Sequence, residues 1–340
     1  MEPYAEPRAQ YLRFAREADD SPCFRDWSLA IAEDPEVLAW LAALPAGKAQ
    51  PNLVLAAARW HGVPAPGPYA ALREALLGPA SAAIRATVLE RRTQTNEVRR
   101  LATLVPAFAA LAADGGAPDE PVALVEVGAS AGLCLYPDRW GYRWTDPAGR
   151  TLAEAPRAGA GELSCTVDLH PGAAGPPAYP SAPPAVAWRA GLDLHPLDVT
   201  DPDTTGWLET LVWPEHDDRR ELLRRAVEVA RADPPDLREG DLLTGLPALV
   251  EEAAAHGPVV VFHSAVVAYL VEEDRARFHD LMTDLVAAGA CRWVSNEGPN
   301  VLPRVTATGP EPPATPTFVL GVNGRAAAWT HGHGRSMTWL

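Results

Sequence analysis

Two short, almost unbroken apolar runs stand out along the chain. They are Val122-Ala-Leu-Val-Glu-Val127, interrupted only by Glu126, and Val259-Val-Val-Phe262. Runs of this length suit strands buried on both faces of a parallel sheet. Val186-Ala-Trp-Arg-Ala-Gly-Leu-Asp193 and Cys291-Arg-Trp-Val-Ser-Asn-Glu297 read as further strands that end in polar residues. Nothing before Val122 alternates as a strand does. Instead Tyr11, Phe14 and Ala18, then Ile31, Leu38 and Leu41, keep helical spacing, and an Ala- and Leu-rich stretch stops at His61-Gly62. Val98, Leu101, Val105, Phe108 and Ala112 predict a helix through Pro106 that leads to an Asp114-Gly-Gly turn. Residues 201–232 predict two helices split near Trp213-Pro214. Phe278, Leu281, Met282, Leu285 and Val286 give a core-facing helix with Gly289 as its stop. Asn323-Gly324 between apolar runs is a strong hairpin signal. Met337 to Leu340 reads as one more short strand.

The expected fold class is therefore α/β. It is a Rossmann-like, mostly parallel sheet with a terminal antiparallel hairpin, preceded by a helical N-terminal region. The pattern places residues 1–115 in that helical region and residues 116–340 in the α/β domain. Residues 141–185 hold two short strand-like stretches among Pro, Gly and Ala, which reads as an insertion, either a flap over a site or decoration.

The turn after the first strand carries the candidate chemistry. Gly128, Ser130 and Gly132 are spaced by single alanines. Small residues let the backbone turn sharply and let a ligand approach bare amides. A helix starting near Ala131 would add an anion-binding N-terminus. Read as Glu126-x-Gly128-x-Ser130-x-Gly132, the turn resembles the first motif of class I S-adenosylmethionine methyltransferases, with serine at the middle glycine. Read as Gly128-x-Ser130-x-Gly132, it matches the nucleophile elbow of serine hydrolases. Its triad could be completed in order by Glu297 and His331 or His333. A third reading is a nucleoside-binding protein without catalysis.

On the cofactor reading, Glu126, Gly128, Ser130, Gly132, Asp193 and Asp241 line the cofactor site, since acids at strand ends suit ribose hydroxyls. Asp198 competes with Asp193 for that role. His263 and Ser264, delivered at the end of the second apolar run, are the candidate catalytic residues, with His263 as base. Thr93, Gln94, Asn96 and Glu97, with Arg99 and Arg100 beside them, and Glu297 form a candidate polar wall for substrate.

Composition narrows the class. The chain has 340 residues, enough for one large domain or two ordinary ones. Its net charge of −15 argues against a general nucleic-acid binder. The basic residues are arginines save for Lys48. No apolar run approaches membrane-spanning length, and the first residues lack the order of a signal peptide. Four scattered cysteines read as free thiols in a reducing cytoplasm. His331 and His333 lack further ligands for a metal, so none is expected. A small-molecule substrate is the expected partner, and S-adenosylmethionine the expected cofactor.

As a set, Thr93-Gln-Thr-Asn-Glu-Val98, Glu126-Val-Gly-Ala-Ser-Ala-Gly-Leu133, Gly191-Leu-Asp-Leu-His-Pro-Leu-Asp198, Trp213-Pro-Glu-His216, Gly240-Asp-Leu242 and Val261-Phe-His-Ser-Ala265 resemble the bacterial DUF2332 family. The resemblance covers nearly the whole chain and implies no particular activity.

Overall fold

In the computed structural model, residues 6–113 and 120–340 are described. The first five residues, the Asp114-Gly-Gly turn and the expected boundary at 116 lie outside them. The chain forms two compact units, one of Met1–Thr95 with Thr200–Glu221 and one of Asn96–Val199 with Leu222–Leu340. The sequence pattern alone places a single boundary near 115; the units change over at 95/96, 199/200 and 221/222.

The first unit is helical. It holds α1 (Pro7–Glu17), α2 (Pro22–Ala32), α3 (Pro35–Ala42), α4 (Pro51–Trp60), α5 (Tyr69–Leu77) and α6 (Ser81–Glu90). Pro7, Pro22, Pro35 and Pro51 each open a helix, where the missing N–H costs nothing and φ is already set. Pro35, capped by Asp34, therefore starts a new helix between Ile31 and Leu38. The returning segment 200–221 brings Trp213, whose indole lies edge-on to Phe14 at 5.6 Å and donates to Asn52 Oδ1 at 3.0 Å.

The second unit begins with α7 (Leu101–Ala113) and β1 (Val122–Val127). Among the described residues no strand precedes β1. There follow β2 (Gly141–Thr145), β3 (Thr151–Ala155), β4 (Glu162–Leu169) and β5 (Val186–Asp193). Past α8 (Pro202–Leu211) and α9 (Asp217–Ala232), which split at Trp213-Pro214 as expected, come β6 (Asp236–Glu239), α10 (Leu242–Ala253) and β7 (Val259–Ser264). The chain closes with α11 (Glu272–Ala287), β8 (Arg292–Glu297), α12 (Pro303–Thr306), β9 (Phe318–Val322), β10 (Arg325–Thr330) and β11 (Ser336–Trp339).

All these strands join one mixed, mostly parallel sheet in the order β3-β2-β4-β11-β10-β9-β8-β7-β1-β5-β6. Strands β6, β5, β1, β7 and β8 are parallel neighbours, so the order reverses at central β1. Asn323-Gly324 turns the β9–β10 hairpin, as its sequence predicts. The 141–185 segment is no flap: β4 pairs in parallel with β11, and β2 and β3 continue the sheet outward.

Strand alternation sorts the side chains onto two faces. Val125, Val127, Val261 and Trp293 pack with Leu246 and Leu249 of α10 and Phe278 and Met282 of α11. On the other face Phe262 meets Phe108 of α7 at 5.6 Å. Helix α7 is apolar all round its described length, which suits a helix covered by a sheet. Trp144 of β2 donates its indole N–H to Ala102 O at 2.8 Å, tying α7 to the outer strands. Among the described residues no helix is long and apolar enough to cross a membrane.

Gly191 sits where β5 passes under the β1 turn, and a Cβ there would lie 2.4 Å from Ala129 Cβ and 2.7 Å from Leu237. Gly191→Ala is expected to destabilise by about 1–3 kcal/mol through overpacking. Gly175→Ala, with nothing within 4 Å, is expected to leave the urea midpoint unchanged or raised. Equal midpoints for the two variants would contradict this packing.

Candidate functional site

The turn after β1 is built from alternating left-handed residues: Gly128 (φ 68°), Ser130 (φ 53°) and Gly132 (φ 68°). For Ser130 that conformation costs roughly 1–2 kcal/mol, and its hydrogen bonds hold it there. Its N–H donates to Asp193 Oδ2 at 2.8 Å, and its carbonyl accepts from Leu197 N–H at 2.9 Å. The second oxygen of Asp193 accepts from His195 N–H at 2.8 Å.

Three further amides of the turn have internal partners. Gly128 N–H donates to Leu192 O at 2.7 Å, Gly132 N–H to Ala129 O at 2.7 Å, and Leu133 N–H to Asn96 Oδ1 at 3.0 Å. The helix expected from Ala131 is replaced by two single 3₁₀ turns, Leu133–Leu135 and Pro137–Arg139. Gly132 is left-handed and Pro137 has no N–H, so a regular α-helix cannot run through this segment.

The room above Gly128 belongs to Val266. A Cβ on Gly128 would lie 2.3 Å from Val266 Cγ2. Val266 stands in the loop after β7, behind left-handed Ala265 (φ 61°). Glu297 fastens this loop: its Oε1 accepts from Val266 N–H at 3.0 Å, Val267 N–H at 3.1 Å and His263 Nδ1 at 2.8 Å. Trp293 Nε1–H donates to His263 Nε2 at 3.1 Å. Indole nitrogen only donates, so His263 carries its proton on Nδ1. His263 is fully buried against Phe278. The candidate base and the candidate wall residue Glu297 are thus partners of each other inside the core.

Ser264 points the other way, as a strand neighbour must. Its Oγ accepts from Asn296 Nδ2 at 3.0 Å, and Thr330 Oγ1 donates to Asn296 Oδ1 at 2.7 Å. The two candidate catalytic residues therefore lie on opposite faces of the sheet.

Asp241 caps α10, accepting from Leu243 N–H at 2.9 Å, and the preceding Gly240 N–H donates to Asp193 O at 2.9 Å. The β1 turn, Asp193 and Asp241 are thereby brought to one edge, at the C-terminal ends of β1, β5 and β6. Asn96 joins them through Leu133. Glu97 is buried, accepts from Arg99 N–H at 3.3 Å and faces His333 Nδ1 at 3.5 Å. Thr93 and Gln94 belong to the helical unit, where Thr93 Oγ1 donates to Gln50 Oε1 at 3.1 Å.

Glu126 is a buried carboxyl whose Oε2 has no hydrogen-bond partner among the described residues. Burial first, then the negative charge of Asp193, pushes it well above the ordinary glutamate range; Arg100 works against both. Arg100 itself is pinned by Gly332 O at 2.8 Å and Ser264 O at 3.2 Å. Asn296, Thr330 and Val266 are the residues that the sequence reading passes over. The polar end of the strand at 291–297 was the available signal.

A carboxyl with a raised folded-state pKa binds more protons folded than unfolded. Its contribution therefore falls as pH rises past the ordinary glutamate range. Glu126→Gln is expected to flatten that decline and to be more stable than the parent near neutral pH. Thermal melts between about pH 4 and 8 test it, and a steeper decline in the variant would refute the assignment.

Among the described residues no three His, Cys, Asp or Glu side chains are grouped to hold a metal ion. All four cysteines are free and buried. No curated protein and no solved structure matches the chain. A family model described as "Uncharacterized protein conserved in bacteria (DUF2332)" matches residues 8–339. With that match running through both compact units, the chain belongs to the DUF2332 family.

Proposed function

We propose that the edge at the C-terminal ends of β1, β5 and β6 binds a nucleoside-bearing ligand. On this reading the protein is a Rossmann-like, S-adenosylmethionine-dependent methyltransferase for a small molecule. One observation carries it: Asp193, 63 residues beyond Ser130, folds back to hold the N–H of the glycine turn. The acid and the turn thus meet where strand order reverses, which is where open α/β sheets place ligands.

The donor set fits the ribose end of such a ligand. Each Asp193 oxygen accepts a backbone N–H, and a carboxylate is the acceptor that ribose hydroxyls call for. Asp241 stands beside it. The polar tail would need the room above Gly128, so Val266 must move aside. S-adenosylmethionine would supply the methyl group. The chain's own part is to orient the ligand through Asp193 and exclude water with the loop after β7. Ser264 and Asn96 are the candidate polar groups for an acceptor, Asn96 being the one that touches the turn. His263, enclosed with Glu297 and Trp293, acts as support for that loop.

Titration calorimetry on the full chain with S-adenosylmethionine, S-adenosylhomocysteine and NAD tests the reading. Both sulfur ligands are expected to bind and NAD not. Val266→Ala is expected to tighten binding, because the closed loop reduces the binding-competent fraction. Asp193→Ala is expected to weaken it about tenfold to a hundredfold through a lost charge-assisted hydrogen bond. No heat from any of the three at millimolar concentration would end this proposal.

The left-handed Ser130 also favours serine hydrolysis as a second reading, since strained residues cluster at reacting centres. Ser130 is buried, and the acid of that triad, Glu297, is engaged by His263. A fluorophosphonate probe is therefore expected to leave Ser130 unlabelled. Labelling that Ser130→Ala abolishes would transfer the assignment to a hydrolase.

A further inference from the structure

The helical unit has a cavity of its own, of about 490 Å³, within the range of small-molecule sites. Its walls include Arg59 from α4, Thr205, Glu209 and Thr210 from α8, and Arg220 from α9. None of these residues takes part in the site at the sheet edge.

The two arginines are the unusual feature. Arg59 Nη1 donates to the carbonyls of Thr210 at 2.7 Å and Val212 at 2.6 Å. Its Nε and Nη2 have no hydrogen bond among the described residues, and no carboxylate there lies within ion-pair distance of it. Arg220 donates to Trp213 O and Pro214 O, and its one carboxylate partner, Asp217, is 93% exposed. A solvent-screened pair of that kind neutralises little. Burial, then the charge of Arg220, draws Arg59 down to about 10. Arg59 therefore still carries its charge at neutral pH; Glu215, which favours that charge, is already engaged by Ser21 Oγ and Cys23 N–H and makes no ion pair with it among the described residues. Desolvated cations held rigidly by carbonyls, with donor edges unspent, match an oxyanion.

The rest of the wall narrows the ligand. Thr205 and Thr210 spend their hydroxyl protons on helix carbonyls, at 3.2–3.3 Å to Pro202 and Asp201 and 2.8 Å to Gly206. The donors facing a ligand are thus the guanidinium groups. The cavity far exceeds the roughly 30 Å³ share of one water and admits an organic residue beyond the anion.

We propose that this cavity binds a small phosphate ester, its phosphate against Arg59 and Arg220. The site is independent of the methyltransferase reading, so either can fail alone.

Calorimetry on the full chain with ribose 5-phosphate, ribose, inorganic phosphate and citrate tests the proposal. Ribose 5-phosphate is expected to bind at millimolar concentration or below, more tightly than inorganic phosphate, and ribose not at all. Arg220→Gln is expected to weaken binding about tenfold or more, the loss of one charge-assisted contact. The unaltered protein supplies a check that needs no folded variant. Ribose 5-phosphate should protect the Arg59 and Arg220 peptides from phenylglyoxal, read by mass spectrometry. Absence of ribose 5-phosphate binding, preference for citrate, or binding without protection of either arginine would each overturn the proposal.

Discussion

One carboxylate oxygen holds the centre of the sheet's C-terminal edge in place. Glu297 Oε1 collects the His263 imidazole N–H and two successive backbone amides, all from beyond the strand that carries it. Glu297 and His263 are 2% and 0% exposed. At that depth a carboxylate without its donors would be costly, and so would a histidine without its acceptor. Both imidazole nitrogens are engaged, by Glu297 and Trp293, and Glu297 is engaged through Oε1 alone, its Oε2 having no hydrogen-bond partner among the described residues. The same oxygen fixes where the chain leaves β7, and so where Val266 comes down on Gly128. The path of the chain over the point of strand reversal is thus set by hydrogen bonds inside the core.

The turn after β1 shows a related economy. Its sequence offers small residues and, in principle, bare amides. The fold spends the amides on Leu192, Asp193, Ala129 and Asn96. Asp193 is the pivot, joining the turn to the end of β5 and, through its carbonyl, to Gly240 before α10. The turn is thus hydrogen-bonded to the strand ends around it.

Much of this was legible in the chain. Unbroken apolar runs gave β1 and β7, a strand-end acid gave β5, and Asn323-Gly324 gave the hairpin, because each signal is local. The opposite facing of His263 and Ser264 was legible too, from the period of two. What escaped is non-local. Nothing in Glu162-Leu-Ser-Cys-Thr-Val announces pairing with Ser336–Trp339, 160 or more residues away. The short, weakly patterned β3 gave no signal apart from its neighbour β2. The failed helix after Ala131 was a contest between a glycine-rich start and Pro137, and hydrogen bonds to distant Asp193 and Asn96 decided it. The charges that act on Glu126, Asp193 and Arg100, likewise come from segments that only the fold assembles.

The helical unit closes around a segment that arrives late. Trp213 packs on Phe14 and Phe24, and Glu215 accepts from Ser21 Oγ and Cys23 N–H. Between Thr95 and Thr200 lies nearly half of another unit. At roughly 5–20 residues per second, a ribosome needs about 5–20 s to cross that interval. During that time Phe14 and Phe24 have been synthesised and lack the indole that covers them. Newly made chains therefore pass through a stage in which aromatic surface awaits a partner still being translated, and that stage is where a holding chaperone would have most to bind.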